Sequence, residues 1–408
     1  MRGQRLVRDF STCEVTCSIT ARRASSPQGA RTAMPNSTGA GVLEVQGSIA
    51  MGNSVKRGEV RRYAEAPSHG KNGPGVSLPL KYDELVTRSP QGSIFAHRWW
   101  LEAVAPGMYE ILEIKKGDEI QAAWPIVYRK SDAAKHVFMP ALTQKLGILF
   151  APSSANLVET QSKNQKLTTE LIEQLGDTAS FRQNFHENFA DWLPFYWRGY
   201  DQTARYTYVL EDISDLTALW NGMRRHHRRD IRRAERLGIR IKDDLDLGRF
   251  LELNRKTFTR QGREPLASDE LIWRLDRACC ANAGRKIFAG VDSQGRVHAA
   301  VYVAWADNTA YYLMGGSEPD LRESGAQLLA LWEAIIFSSS VVKRFDFEGS
   351  MLQQVECGFR GFGAKQLPYS SITRALPPPT SLSAFLRASI EFRWNRARRT
   401  IASRFQKR

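Results

Sequence analysis

Cysteine is scarce: the 408 residues hold five, Cys13, Cys17, Cys279, Cys280 and Cys357. They are too few and too unevenly spaced for a disulfide framework or a zinc site, so they read as reduced thiols. Cys279 and Cys280 are adjacent on a predicted helix, which sends their side chains apart. No apolar run approaches the ~18 residues that cross a bilayer, and the first 30 residues carry scattered arginine where a signal peptide has an apolar core. No Walker-type loop and no close pairing of a nucleophile with a base stands out. These absences lead us to expect a soluble cytoplasmic protein with no metal and no covalent intermediate. Hydrophobic residues at 42% and charged residues at 25% are ordinary globular usage, and the length suits two or three domains.

Positive charge is plentiful, at a formal +15, but it is concentrated. Residues 1–75 carry +6, residues 221–240 carry +6 and residues 381–408 carry +7, so the remainder is mildly acidic. That distribution argues against a basic groove across the whole protein. Residues 1–75, rich in Gly, Ser, Ala, Arg and Pro, read as a disordered basic tail. Residues 76–212 read as a first mixed α/β domain. A strand pair is expected from Tyr109 to Ile114 and Ile120 to Tyr128, helix formers run from Leu167 to Phe189, and a strand from Arg205 to Leu210. Residues 213–238 read as one Arg-rich connecting helix, with Leu216, Leu219, Trp220, Met223, His227, Ile231, Ala234 and Leu237 at helical spacing and Gly238 as its terminator. A second α/β domain follows over 239–376, with hairpin turns at Asp292-Ser293-Gln294-Gly295 and Ala306-Asp307-Asn308. Residues 377–408 read as a Pro linker and a basic amphipathic helix suited to an anionic membrane surface or to docking on the protein itself.

The most informative stretch is Tyr311-Tyr312-Leu313-Met314-Gly315-Gly316-Ser317, followed by Arg322-Glu323-Ser324-Gly325-Ala326-Gln327 and an apolar helix. It reads as a strand, a glycine-bearing turn and a helix N-terminus. Unpaired backbone N–H groups and the helix dipole then converge on one anion site. Arg322-x-x-Gly325 resembles the first half of the acyl-CoA loop of the GNAT acyltransferases, with Gln327 where the pattern ends in Gly or Ala. Phe195 to Tyr208, Arg228 to Gly238, Phe345-Asp346-Phe347-Glu348-Gly349-Ser350 and Gly358 to Ala364 resemble, in that order, the FemAB-like branch, and most of all its BioF-type acetyltransferase-like domains.

The resemblance spans residues 80–375 and implies two tandem GNAT-like mixed-sheet domains that transfer an acyl group to an amine. It implies acyl-CoA as donor, held by Gly315, Gly316, Arg322, Gly325, Ala326 and Gln327. The implied acceptor is a small or lipid-linked amine on a cell-envelope or polysaccharide precursor. The alternative within the family is an aminoacyl-tRNA donor and a peptidoglycan precursor as acceptor. From another class, the Arg runs suit a non-catalytic module for RNA or anionic lipid. Transfer to an amine needs a base. Asp346 and Glu348 are the candidates, with only one expected to face a given cleft and Glu348, beside Gly349, preferred. Tyr312 is a candidate proton donor or substrate contact, and Arg260 and Arg360 are candidate anion clamps. His298, on a strand, reads as a structural histidine.

Overall fold

Short polar residues start the longer helices. Asn156, Asp246 and Ser268 each accept a hydrogen bond from the backbone N–H three residues on. The computed structural model describes residues 81–131, 134–349 and 351–374. The N-terminal tail, the Pro linker and the C-terminal amphipathic segment lie outside the described residues. The first half runs α1 (Tyr82–Arg88), α2 (Arg98–Val104), β1 (Tyr109–Lys116), β2 (Glu119–Ser131), β3 (Ala134–Val137), β4 (Leu149–Phe150), α3 (Leu157–Leu175), β5 (Ser180–Asn184), α4 (Leu193–Tyr196) and β6 (Asp201–Leu210). The second runs α5 (Leu216–Gly222), α6 (Arg225–Arg236), β7 (Arg240–Lys242), α7 (Leu247–Arg260), α8 (Asp269–Asn282), β8 (Gly284–Val291), β9 (Val297–Ala306), β10 (Thr309–Ser317), α9 (Ala326–Ser338), β11 (Arg344–Asp346), α10 (Gln353–Arg360) and β12 (Lys365–Arg374). None of the described helices is long and apolar enough to cross a membrane.

The strands form one mixed sheet in the order β1-β2-β3-β5-β12-β6-β11-β10-β9-β8-β7, with β4 paired to β2 off this path. The last strand, β12, lies antiparallel between β5 and β6 and so joins the two halves through backbone hydrogen bonds. In the second half, α7 and α8 pack with α2 on one face of the sheet. Residues of α6, α9 and α10 fill the other.

Three sequence expectations change. The helix expected over 215–237 breaks at Met223, whose extended backbone sends the Arg224 N–H to the Gly361 carbonyl at 2.8 Å, so α5 and α6 are separate. Gly238 does terminate α6, in the left-handed conformation with φ +74, and the Ile239 N–H returns to the Ala234 carbonyl. The helix formers from Leu167 stop at Leu175, and Ser180–Asn184 is a strand that β12 recruits into the sheet. Gly315 and Gly316 are not in a turn. They lie within β10, opposite Val301 and Ala300. A Cβ on Gly316 would come within 2.5 Å of the Asn254 backbone nitrogen, so the glycine lets α7 lie directly on the strand. The adjacent cysteines diverge as expected, Cys279 buried and Cys280 exposed.

His97 ties the first half to the β9–β10 hairpin. Its Nδ1 lies 3.4 Å from Asp83 Oδ1 and its Nε2 3.1 Å from Asp307 Oδ2. Burial alone would lower its pKa, but hydrogen bonds to Asp307 and Asp83 outweigh it and carry it to about 9. A raised pKa means that this contribution is complete below the ordinary value of 6.5 and is lost as pH rises through about 9. The urea midpoint should fall across that window, by the equivalent of about 3 kcal/mol at most. His97→Gln should flatten that part of the pH profile, and an unchanged profile in the variant would remove His97 as its source.

Candidate active site

β10 and β11 run parallel and are paired only from Thr309–Arg344 to Tyr311–Asp346. Beyond that point β10 continues along β9 to Ser317, while the Phe347 N–H turns to the Tyr208 carbonyl. The two strands therefore part. From Tyr312 onward the β10 edge on the β11 side faces no strand of the sheet. Side chains alternate across β11 and its extension. Phe345 and Phe347 point into the core beneath α9 and α10 and Asp346 to the opposite face, while Glu348, past the strand end, lies close enough to Asp346 and Lys145 for both to act on its carboxyl.

On the α9 face, Gly325 is the N-cap of α9 with φ +87. A Cβ there would come within 2.2 Å of the Asp230 carbonyl, so this turn and the Arg-rich α6 touch backbone to backbone. The sequence offered the Arg run and the Gly325 turn as separate features, and the fold puts them together. The N-terminal turn of α6 and α10 share a cavity of about 520 Å³ with the start of α9. It is lined by Arg224, Arg225, His226, His227, Asp230 and Leu328, with Cys357 and Gly358 completing its walls. His227 Nε2 lies 2.9 Å from the Gly358 carbonyl, and burial lowers its pKa, which keeps it neutral. Of the first backbone N–H groups of α9, that of Ala326 goes to Ser324 Oγ and those of Leu328 and Leu329 to the Gly325 carbonyl, so among the described residues the Gln327 N–H is the one left open. Gln327 Nε2 lies 3.4 Å from Tyr312 Oη, which sits over Gly315 where a Cβ would be 2.1 Å away. Burial pushes Tyr312 up to about 12, so it keeps its proton at neutral pH.

On the opposite face lies a junction of charges from both halves. Lys145, fully buried, donates to Glu187 Oε2 at 2.6 Å and Asp346 Oδ2 at 3.0 Å. Arg344 also pairs with Glu187, so two cations meet two carboxylates. Burial works to lower the Lys145 pKa, but Asp346 and Glu187 outweigh it and hold it above the usual lysine range. Burial likewise works to raise Glu187, and Lys145, His186 and Arg344 keep it well below the usual carboxylate range. Asp346 accepts from Thr207 Oγ1 and, at 2.8 Å, from the Glu348 N–H.

Glu348 and Gly349 both lie in the left-handed region, with φ +57 and +55. At Gly349 a Cβ would meet the Tyr206 carbonyl at 2.2 Å, so only glycine fits. Glu348 holds the same conformation with a side chain, at a cost of about 1–2 kcal/mol. Burial, with Asp346 adding to it and Lys145 opposing, raises the Glu348 carboxyl well above the usual range.

The sequence expectation that only one of Asp346 and Glu348 faces a given cleft is corrected. Both point to the same junction, where Asp346 is consumed by its partners and Glu348 is not. Tyr312, Gly315, Gly325, Ala326 and Gln327 cluster on the α9 side, while Gly316 lies under α7. Arg322 is exposed on the short 3-10 turn Pro319–Ser324. Arg260 is exposed at the end of α7, and Arg360 is exposed and paired with Glu356. His298 Nε2 lies 3.0 Å from Asp292 in the hairpin, a structural role as expected. Sequence reasoning missed Gln144, Lys145, Glu187 and Thr207. The one available signal was a lone lysine inside the largely apolar stretch 142–150. Among the described residues no group of three His, Cys, Asp or Glu side chains could hold a metal.

Residues 221–349 match the family model of the acetyltransferase (GNAT) domain. The fold is shared with the crystal structure of FemX, at 12% identity and a TM-score of 0.56, over 71% of this chain and 94% of that one. A tandem GNAT protein from the clavulanic acid biosynthesis pathway is 10% identical with a TM-score of 0.44, over 74% of this chain and 98% of that one. The C-terminal domain of a lysylphosphatidylglycerol synthetase from Agrobacterium fabrum is 12% identical with a TM-score of 0.43, over 76% and 96%. At those scores neither adds to the argument. No curated protein matches the chain.

Proposed function

We propose, from the premise that the chain carries a GNAT domain within a tandem, FemX-like fold, that it transfers an acyl group from a phosphate-bearing donor to an amine. The observation that carries this reading is the parting of β10 from β11, with a basic cavity on one face and Glu348 on the other. The donor phosphates would meet Arg224, Arg225 and the α9 N-terminus. The acyl end would pass along the unpaired β10 edge. In its ionised form Glu348 would take a proton from the acceptor ammonium, the amine nitrogen would attack the carbonyl carbon, and the carbon–sulfur bond of a thioester would break. Tyr312, which the Gln327 amide contacts, would protonate the departing thiolate, and the second proton of the attacking nitrogen, released as the amide forms, would return to the Tyr312 phenolate.

Acyl-CoA is the first-choice donor, because Arg322-x-x-Gly325 opens the helix whose N-terminus adjoins the cavity. Aminoacyl-tRNA is the second reading, favoured by the Arg-rich α6 in the cavity wall, which suits a larger polyanion. The acceptor belongs among cell-envelope or polysaccharide precursors by the same resemblance. Calorimetric titration of CoA and acetyl-CoA into the full chain tests the first reading. Micromolar binding is expected, weakened about tenfold or more in Arg224→Ala/Arg225→Ala. Absence of binding to either ligand would discard acyl-CoA. Charged tRNA should then bind with an affinity that falls steeply between 50 and 200 mM salt.

A further inference from the structure

The two most exposed aromatic side chains among the described residues stand together at the end of α4. Tyr196 and Trp197 are 60% and 62% exposed, and Leu193 beside them is 41% exposed. Positions 193, 196 and 197 share one helix face, while Pro194 and Phe195 are buried in the first half. The half-buried Trp192 ring meets Tyr196 edge-on at 5.5 Å and extends the patch. Single exposed apolar side chains are ordinary, whereas four gathered on one turn mark a contact surface.

The chain itself leads to this patch. β12 runs antiparallel to β6, and its last residue paired with β6 is Thr373, opposite Asp201. Beyond that pair β12 heads back toward the residues that precede β6, which are α4 and the turn to Tyr200. The Arg374 guanidinium already lies 5.2 Å from the centre of the Tyr200 ring. Tyr200 in turn packs on Phe195 of α4 at 5.3 Å and donates its N–H to the Phe195 carbonyl. The spacer that follows, Ala-Leu-Pro-Pro-Pro-Thr over 375–380, spans at most about 20 Å.

Next in the chain come residues 381–408, which lie outside the described residues. Their sequence places Leu386, Ile390, Trp394, Ala397 and Ile401 at intervals of three or four, and they carry +7. Residues 157–201, which contain α3, β5 and α4, carry −3. Two of those carboxylates flank the patch: Glu173 pairs with Arg198, and Asp191 accepts the Leu193 N–H. An apolar stripe edged with arginine thus matches an apolar patch edged with acid.

We infer that residues 381–408 dock on α4 of their own chain, with the apolar stripe over Leu193, Tyr196 and Trp197. This goes beyond the proposed acyl transfer and does not depend on it. A stripe committed to α4 is withdrawn from an anionic membrane surface, so docking and membrane binding compete for the same side chains.

The test is hydrogen–deuterium exchange of the full chain in buffer without lipid. Amides over 384–404 should exchange about tenfold or more slowly in the wild type than in Tyr196→Lys/Trp197→Lys, which removes the patch and repels the basic segment. Should that variant not fold, Ile390→Asp/Trp394→Asp leaves every described residue intact and should speed exchange over 193–200. Unprotected amides over 384–404 in the wild type would overturn the inference. So would protection that survives in a folded patch variant, or exchange over 193–200 that the Ile390→Asp/Trp394→Asp variant leaves unchanged. Protection that appears only with phosphatidylglycerol vesicles would make the segment a membrane element instead. Protection lost on a hundredfold dilution would assign the patch to the same segment of a second copy and overturn docking within one chain.

Discussion

Lys145→Met is expected to destabilise the protein by about 3–5 kcal/mol, read as a drop in the urea midpoint at constant slope. The lysine is fully buried and is the only cation bonded to both Glu187 and Asp346 among the described residues. Without it, Arg344 alone faces two carboxylates that have little water to turn to, and Asp346 keeps only its bonds from Thr207 and Glu348. The lost ion pair is the smaller part of the effect. The larger part is the uncompensated charge left behind. It follows that Lys145→Met/Asp346→Asn, which restores one cation to one anion, should recover a substantial share of the loss. If the double variant is as unstable as the two single effects added together, the charge account is wrong and packing at Lys145 is the cause.

Glu348→Gln should lower kcat by about 10²–10⁴ while the donor Kd stays within twofold, because the amide keeps the shape of the side chain and cannot accept the proton. The pH profile supplies the sign. The carboxyl is raised above its ordinary range by burial and Asp346, so it is neutral at low pH and becomes a base only as pH increases. The acid limb of kcat/KM should therefore lie above the usual carboxylate range in the wild type and vanish from the residual rate of the variant. A variant with an undiminished kcat would move the base elsewhere. Asp346 is a poor substitute, since Lys145, Thr207 and the Glu348 N–H already hold its oxygens.

Local signals in the sequence carried much of this fold. The hairpins at Asp292–Gly295 and Asp307–Asn308, the end of α6 at Gly238 and the helix after Gly325 rest on turn and cap chemistry that reads from a few adjacent residues. β5 did not, because Ser180–Asn184 is polar and short and becomes a strand through pairing with β3 on one side and with residues nearly two hundred positions later on the other. The site divides along the same line. Glu348, Tyr312 and Gly325 sit in recognisable phrases, whereas Gln144 and Lys145 reach Glu348 and Asp346 across about two hundred residues of sequence. No local pattern announces such a partnership. The meeting of α6 with the Gly325 turn is likewise tertiary, a backbone contact that shows only as the requirement for a glycine.

The position of β12 bears on the order of events during synthesis. A ribosome releases β5 and β6 long before residues 365–374, so each spends the interval with an open edge toward its future neighbour. The nascent sheet can close only once residues 365–374 have left the ribosome. Either strand then offers a strand-shaped vacancy to any passing extended segment. A nascent chain stalled before residue 365 should accordingly be a better chaperone client than one stalled after residue 408 has left the tunnel.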